Sequence, residues 1–242
     1  MTEHPDIRLA VLDMAGTTVA DDGLVETAFG AALASVADAA GVTPGSAREA
    51  ELWQHVRDTM GQSKIEVFRA VFDENNAQRA NTAFERSYLD QIDAGRAVPL
   101  PGAVEAITAL RAAGVLVALT TGFSRDTQRR LVTALGWDDL VELVLCPEDA
   151  GGRGRPYPDM VLTALLRLRV DDVAQVAVAG DTASDIRTGR RAGASVVAGV
   201  LTGAHDGPTL HTAGATHVLS SIAELPAVLI PARIPARRPA TP

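Results

Sequence analysis

With 242 residues, 47% of them hydrophobic, the chain can bury one large core, or one core plus a smaller insert. A formal charge of −8 argues against nucleic acid or an anionic membrane surface as partner, since either needs a basic face; an anionic small molecule has to be met by a local positive site. The single cysteine, Cys146, rules out an intramolecular disulfide, and no apolar segment approaches the ~20 residues that span a bilayer, so the expectation is a soluble cytoplasmic protein.

The chain opens on a Val- and Leu-rich run at 7–12, read as a strand. Residues 20–97 then show helical periodicity without a convincing strand, which predicts helices at 23–40, 46–60, 63–74 and 77–93. A Pro- and Gly-punctuated linker, 94–102, leads back to alternating helices and strands. The helices are expected at 102–113, 125–135, 158–168, 183–193 and 221–229, and the strands at 115–120, 141–145, 175–180, 195–200 and 216–219. Continuous apolar strands alternating with helices predict an α/β, doubly wound parallel sheet over 1–19 and 98–230. Residues 20–97 form an inserted all-helical cap, and the Pro- and Arg-rich tail 231–242 is expected to be disordered.

In such a sheet the active site lies at the carboxyl ends of the strands. Asp13 ends the first strand, Thr120-Thr121-Gly122 follows another, and Gly180-Asp181 ends a third, with Asp185 one helical turn further. Any one of these aspartates alone reads as a helix cap. Carboxylates converging at one edge instead suit Mg²⁺, so Asp13 and Asp181 are the ligand candidates, with Asp185 supporting them. Asp13, on a Gly-containing turn, is the candidate nucleophile, and Thr121 a donor to a phosphoryl oxygen. Arg155 is the candidate anion-binding cation, with Arg153 competing for the role. Of the 22 basic residues only one is lysine, Lys64. On the predicted helix 63–74, Val67, Phe68 and Val71 share its face, an apolar setting that favours a neutral, nucleophilic amine.

Asp13 with Thr17, Thr121, Arg155, and Asp181 with Asp185 resemble the four ordered motifs of the haloacid dehalogenase superfamily, whose helical insert is a mobile cap. Most of its phosphatases carry a second aspartate two residues after the nucleophile as general acid, and here that position is Ala15, which cannot donate a proton. A lysine that condenses with an aldehyde offers another route, because the iminium withdraws electrons from the adjacent carbon-phosphorus bond. The Asp-x-Ala-Gly-Thr motif, the arginine of the third motif and the segment Met60-Gly61-Gln62-Ser63-Lys64-Ile65 together resemble the phosphonoacetaldehyde hydrolase branch.

That resemblance implies Asp13, Lys64, Thr121 and Arg155 as catalytic residues, and Mg²⁺ held by Asp13, the Ala15 carbonyl, Asp181 and Asp185. It implies Gly16, Thr17, Met60, Gly122 and Phe123 around a small phosphonate substrate, and a homodimer formed through the cap. Two positions depart from the branch: Val67 stands where it has His, and Phe123 where it has Tyr. A phosphate monoesterase is the alternative enzyme, and an inactive phosphate-binding protein the non-enzymatic one. The histidines lack metal-ligand spacing, and the glycines at 151, 152 and 154 do not follow a strand, so neither a histidine metal site nor a nucleotide fingerprint is expected.

Overall fold

The computed structural model describes residues 6–230. Six parallel strands form one sheet in the order β3-β2-β1-β4-β5-β6. They are β1 (Leu9–Asp13), β2 (Leu116–Thr120), β3 (Leu143–Leu145), β4 (Val176–Gly180), β5 (Val196–Val200) and β6 (His217–Leu219). Each expected strand is present, some shorter than predicted. Every residue of β1, β4 and β5 is buried, because helices cover both faces, and this burial produces the unbroken apolar runs in the sequence. Alternation along β1 sends Leu9 and Val11 into one core layer and Ala10 and Leu12 into the other.

Four helices form the insert after β1: α1 (Leu24–Val36), α2 (Ala47–Asp58), α3 (Lys64–Arg69) and α4 (Glu74–Asp93). The core helices are α5 (Ala103–Ala112), α6 (Arg125–Leu135), α7 (Asp159–Arg167), α8 (Ala183–Ala192), α9 (Gly207–Ala213) and α10 (Leu225–Leu229). Among the described residues no helix is long and apolar enough to cross a membrane. The tail predicted to be disordered lies outside the described residues.

Two local readings change. The helix predicted over 63–74 is the short α3, because the Asp73 carboxylate accepts the Asn76 N–H and starts α4 at Glu74; Val71 therefore falls in a turn. The stretch before β6, not predicted as helical, forms α9, capped by Asp206 through the Thr209 N–H and opened by Pro208.

The layer containing Ala10 and Leu12 continues without a break into α1, α3 and α4, through Phe29, Phe68, Phe84 and Phe123. The helical insert therefore shares this core layer and meets the rest of the molecule at α6 and at the loop after β2. The Lys64 N–H donates to the Gly122 carbonyl at 3.2 Å across this seam. A methyl group at Gly122 would overlap the Gln62 carbonyl, so only glycine permits that approach.

Candidate active site

Register aligns the chemistry at one sheet edge. Asp13 pairs with Thr120 across β1–β2, and Leu12 with Ala179 across β1–β4, so Asp13, Thr120 and Asp181 emerge together where the strand order reverses. Carboxylate oxygens of Asp13, Asp181 and Asp185 lie within 4.8 Å of one another, and all three residues are buried.

Arg155 ties this cluster together. Its Nη2 is 2.6 Å from Asp13 Oδ1, and its Nε is 2.8 Å from Asp185 Oδ1. It also donates to the Thr120 hydroxyl at 2.7 Å and to the Gly61 carbonyl at 3.1 Å. Arg153 is exposed and pairs loosely with Asp159 at 3.5 Å, so Arg155 is the arginine of the site.

Asp185 completes a capping box with Thr182 at the start of α8 while pairing with Arg155, so the cap reading and the site reading both describe it. Asp181 accepts from the Thr17 hydroxyl at 3.1 Å and from the Ala204 N–H at 2.7 Å. Gly16, at φ +84°, passes so close to Asp181 that a side chain would strike its carboxylate.

One arginine facing three buried carboxylates leaves excess negative charge. Burial pushes Asp13 well above the usual carboxylate range, reinforced by Asp185 and Asp181 and opposed by Arg155. Burial, then repulsion from Asp185, pushes Asp181 up to about 6. An all-oxygen set with uncompensated charge suits a hard divalent cation such as Mg²⁺.

A cavity of about 50 Å³ adjoins the cluster, lined by Asp13, Ala15, Gly16, Met60, Lys64 and Phe123, among others. It has room for a few water-sized groups. Thr17, Thr121 and Asp185 do not line it; the Thr121 hydroxyl accepts from the Phe123 N–H at 3.2 Å. At Asp21, Met60, Gly203 and Ala204 the cavity meets a larger groove of about 820 Å³ between α1, α2 and the loop after β5.

Lys64 is 5% exposed. Its Nζ lies 5.4 Å from the ring centroid of Phe29, 5.6 Å from Phe84 and 5.5 Å from Phe123. The apolar setting thus comes largely from three aromatic rings of other elements, where periodicity pointed to neighbours on its own helix. Burial, aided by the positive charge of Arg155, lowers Lys64 to about 8.

Five residues around the site were not among those assigned a role from the sequence. Thr120 binds Arg155; Gly203 and Ala204 line the cavity beside Asp181; Asp21 lines it as well. Tyr88 is fully buried, its ring 4.3 Å from that of Phe123, and its hydroxyl has no hydrogen-bond partner among the described residues. Only Thr120 and the 203–204 pair carried a readable signal, since both follow strands at the carboxyl edge.

A family profile for haloacid dehalogenase-like hydrolases matches residues 7–193. The chain is 31% identical over 155 residues to a phosphonoacetaldehyde hydrolase of Pseudomonas putida, a match covering 62% of this chain and 56% of that protein. It is 33% identical over 143 residues to a phosphonoacetaldehyde hydrolase of Bacillus cytotoxicus, covering 58% and 52%. The chain therefore spans little more than half the length of these relatives. Its fold is similar to that of a phosphonoacetaldehyde hydrolase-like protein from Oleispira antarctica, with TM-score 0.76, 23% identity, and coverage of 93% and 92% of the two chains. The parallel sheet, the aspartates at its carboxyl edge and the length of the profile match lead to one conclusion: the chain belongs to the haloacid dehalogenase-like hydrolases.

Proposed function

We propose that this hydrolase cleaves the carbon-phosphorus bond of phosphonoacetaldehyde or a close 2-oxoethylphosphonate. The observation that carries the reading is Lys64: an amine buried among aromatic rings, lowered to about 8, in the same cavity as Asp13. Ala15 supports it, because the cavity wall offers a methyl group at the position where a monoesterase of the superfamily has its general acid.

In this reading the neutral Lys64 amine adds to the aldehyde and loses water to give an iminium. The positive nitrogen then draws the carbon-phosphorus electron pair into an enamine as phosphorus passes to an Asp13 carboxylate oxygen. Water hydrolyses the resulting aspartyl phosphate, and the enamine returns to an aldehyde. Arg155 favours the ionised form of Asp13 against the effect of burial and orients it for attack, while the aromatic rings exclude water from the imine. Asp13, Ala15 through its carbonyl, Asp181 and Asp185 would hold Mg²⁺, which when bound offsets the repulsion between nucleophile and phosphonate.

The test is borohydride reduction of the protein with phosphonoacetaldehyde, followed by mapping of the adduct. The expected result is one reductive adduct on Lys64 together with phosphate release. An unmodified Lys64, or full turnover in Lys64→Arg, would overturn the reading.

A further inference from the structure

Imine chemistry needs a group that moves protons, and the position where the resembled branch has His is Val67, which is buried and apolar. Among the described residues no histidine lines the cavity. His55 Nε2 contacts the Val67 carbonyl at 2.9 Å, and His205 Nδ1 accepts from the Ala183 N–H at 2.8 Å, so both are engaged elsewhere.

The charged groups that act most strongly on Lys64 are Arg155, Asp13, Glu85 and Asp21; Asp181 also lines the cavity, but its two oxygens accept from the Thr17 hydroxyl and the Ala204 N–H. Arg155 is a permanent cation, and Asp13 is its partner and the nucleophile. Glu85 uses both oxygens on the start of α6, accepting from the Ser124 N–H at 3.2 Å, from the Ser124 hydroxyl at 2.7 Å and from the Thr127 hydroxyl. That leaves Asp21.

Asp21 sits on the turn into α1. Its carbonyl accepts the Leu24 N–H at 2.6 Å and its Oδ1 the Val25 N–H at 2.9 Å, which fixes the carboxyl group in place. Oδ2 has no hydrogen-bond partner among the described residues. Asp21 lines the cavity with Lys64 and also the outer groove, where it can exchange protons with solvent.

We propose that Asp21 is the proton-transfer residue for Lys64, a role that rests on the phosphonatase reading. As the neutral acid it gives its proton to the hydroxyl of the carbinolamine; the carbon-oxygen bond breaks, water leaves, the nitrogen lone pair forms the iminium, and Asp21 remains as carboxylate. Recharged with a proton from groove water, it protonates the enamine carbon after phosphoryl transfer. The carboxylate then deprotonates the water that hydrolyses the product iminium. Burial raises Asp21 above the ordinary carboxylate range, with the Val25 N–H opposing, which favours the acid form.

The experiment uses the full chain and its Asp21→Asn and Asp21→Glu variants, following adduct formation on Lys64 by rapid borohydride quench, phosphate release, and inorganic phosphate as competitive inhibitor. Asn keeps the acceptor for the Val25 N–H, so α1 stays capped. The expected result is adduct formation and phosphate release slowed about 10²-fold or more in Asp21→Asn, largely restored in Asp21→Glu, with phosphate inhibition unchanged. Adduct formation at the wild-type rate in Asp21→Asn overturns the assignment of Asp21 alone, as does parallel loss of phosphate inhibition, which would mark a structural role. Absence of any adduct in the wild-type protein overturns the phosphonatase reading, and this proposal with it.

Discussion

Arg155 Nη2 approaches Asp13 Oδ1 at 2.6 Å, and both groups are buried, so the nucleophile candidate and the arginine depend on each other for charge balance. Removing one partner of a buried pair leaves the other unpaired, at a cost of roughly 3–5 kcal/mol. Arg155→Met is therefore expected to lower stability on that scale in urea unfolding, because three carboxylates then face one another without a cation. Arg155→Lys should recover only part of the loss, since an ammonium cannot reproduce the fork that reaches Asp13, Asp185 and Thr120 together.

The same charge excess makes a prediction for metal. Mg²⁺ is expected to raise the Tm of the wild-type protein and to have much less effect on Asp181→Asn, as read by differential scanning fluorimetry. A chelator should stop phosphate release while leaving borohydride capture at Lys64 intact, since the amine is not part of the carboxylate cluster.

Lys64 predicts a conflict between activity and stability. Lowering its pKa from 10.5 to about 8 corresponds to about 3 kcal/mol of unfavourable burial of the charged form. The folded-state pKa lies below the unfolded one, so this cost is fully present below pH 8, fades as pH rises, and vanishes above the unfolded value of ~10.4. Lys64→Met should consequently be more stable than wild type at pH 7, lose that advantage near pH 10.5, and show no turnover of the phosphonate.

In the proposed reaction the form of Lys64 that attacks the aldehyde is the neutral amine. With a pKa of about 8 roughly a tenth of the population is neutral at pH 7, against about one part in 2,500 for an unperturbed lysine. In Asp21→Asn, where no acid has to stay protonated, the rate of adduct capture should rise about tenfold per pH unit below 8 and level off above it. A rise continuing to pH 10 would mean that the aromatic rings do not tune this amine.

Tyr88 has a fully buried hydroxyl without a partner among the described residues, and burial pushes its pKa up, with Asp21, Asp13 and Glu85 adding to the effect. Leaving such a group unsatisfied costs about 1–3 kcal/mol, so Tyr88→Phe should raise Tm. Thermal unfolding of the single variant checks this.

The sheet was legible because strands buried on both faces have continuous apolar runs, and Asp13 and Asp181 were legible because each directly follows one. α9 was not, since Leu210 is its one buried residue and a single apolar position makes no period. The extent of α3 was misread for a related reason: Asp73 looks like any polar residue within a helix until its hydrogen bond to Asn76 is known. Lys64 was identified by its uniqueness, but its surroundings were not, because Phe29, Phe84 and Phe123 are brought to it from three places in the chain by tertiary packing. Asp21 escaped notice because the sequence presents it as one of two adjacent acidic residues on a turn.

The seam at Gly122 bears on the selectivity of the amine as well as on packing. Phe123 belongs to the sheet-side loop, whereas Phe29, Phe84 and Lys64 belong to the helical insert. Were the insert to swing away, Lys64 would lose one wall of its surroundings, regain water and return toward an ordinary, protonated lysine. The amine would then be a nucleophile only while the two parts are in contact, which would shield an aldehyde-reactive group from stray carbonyl compounds until a phosphonate has been enclosed.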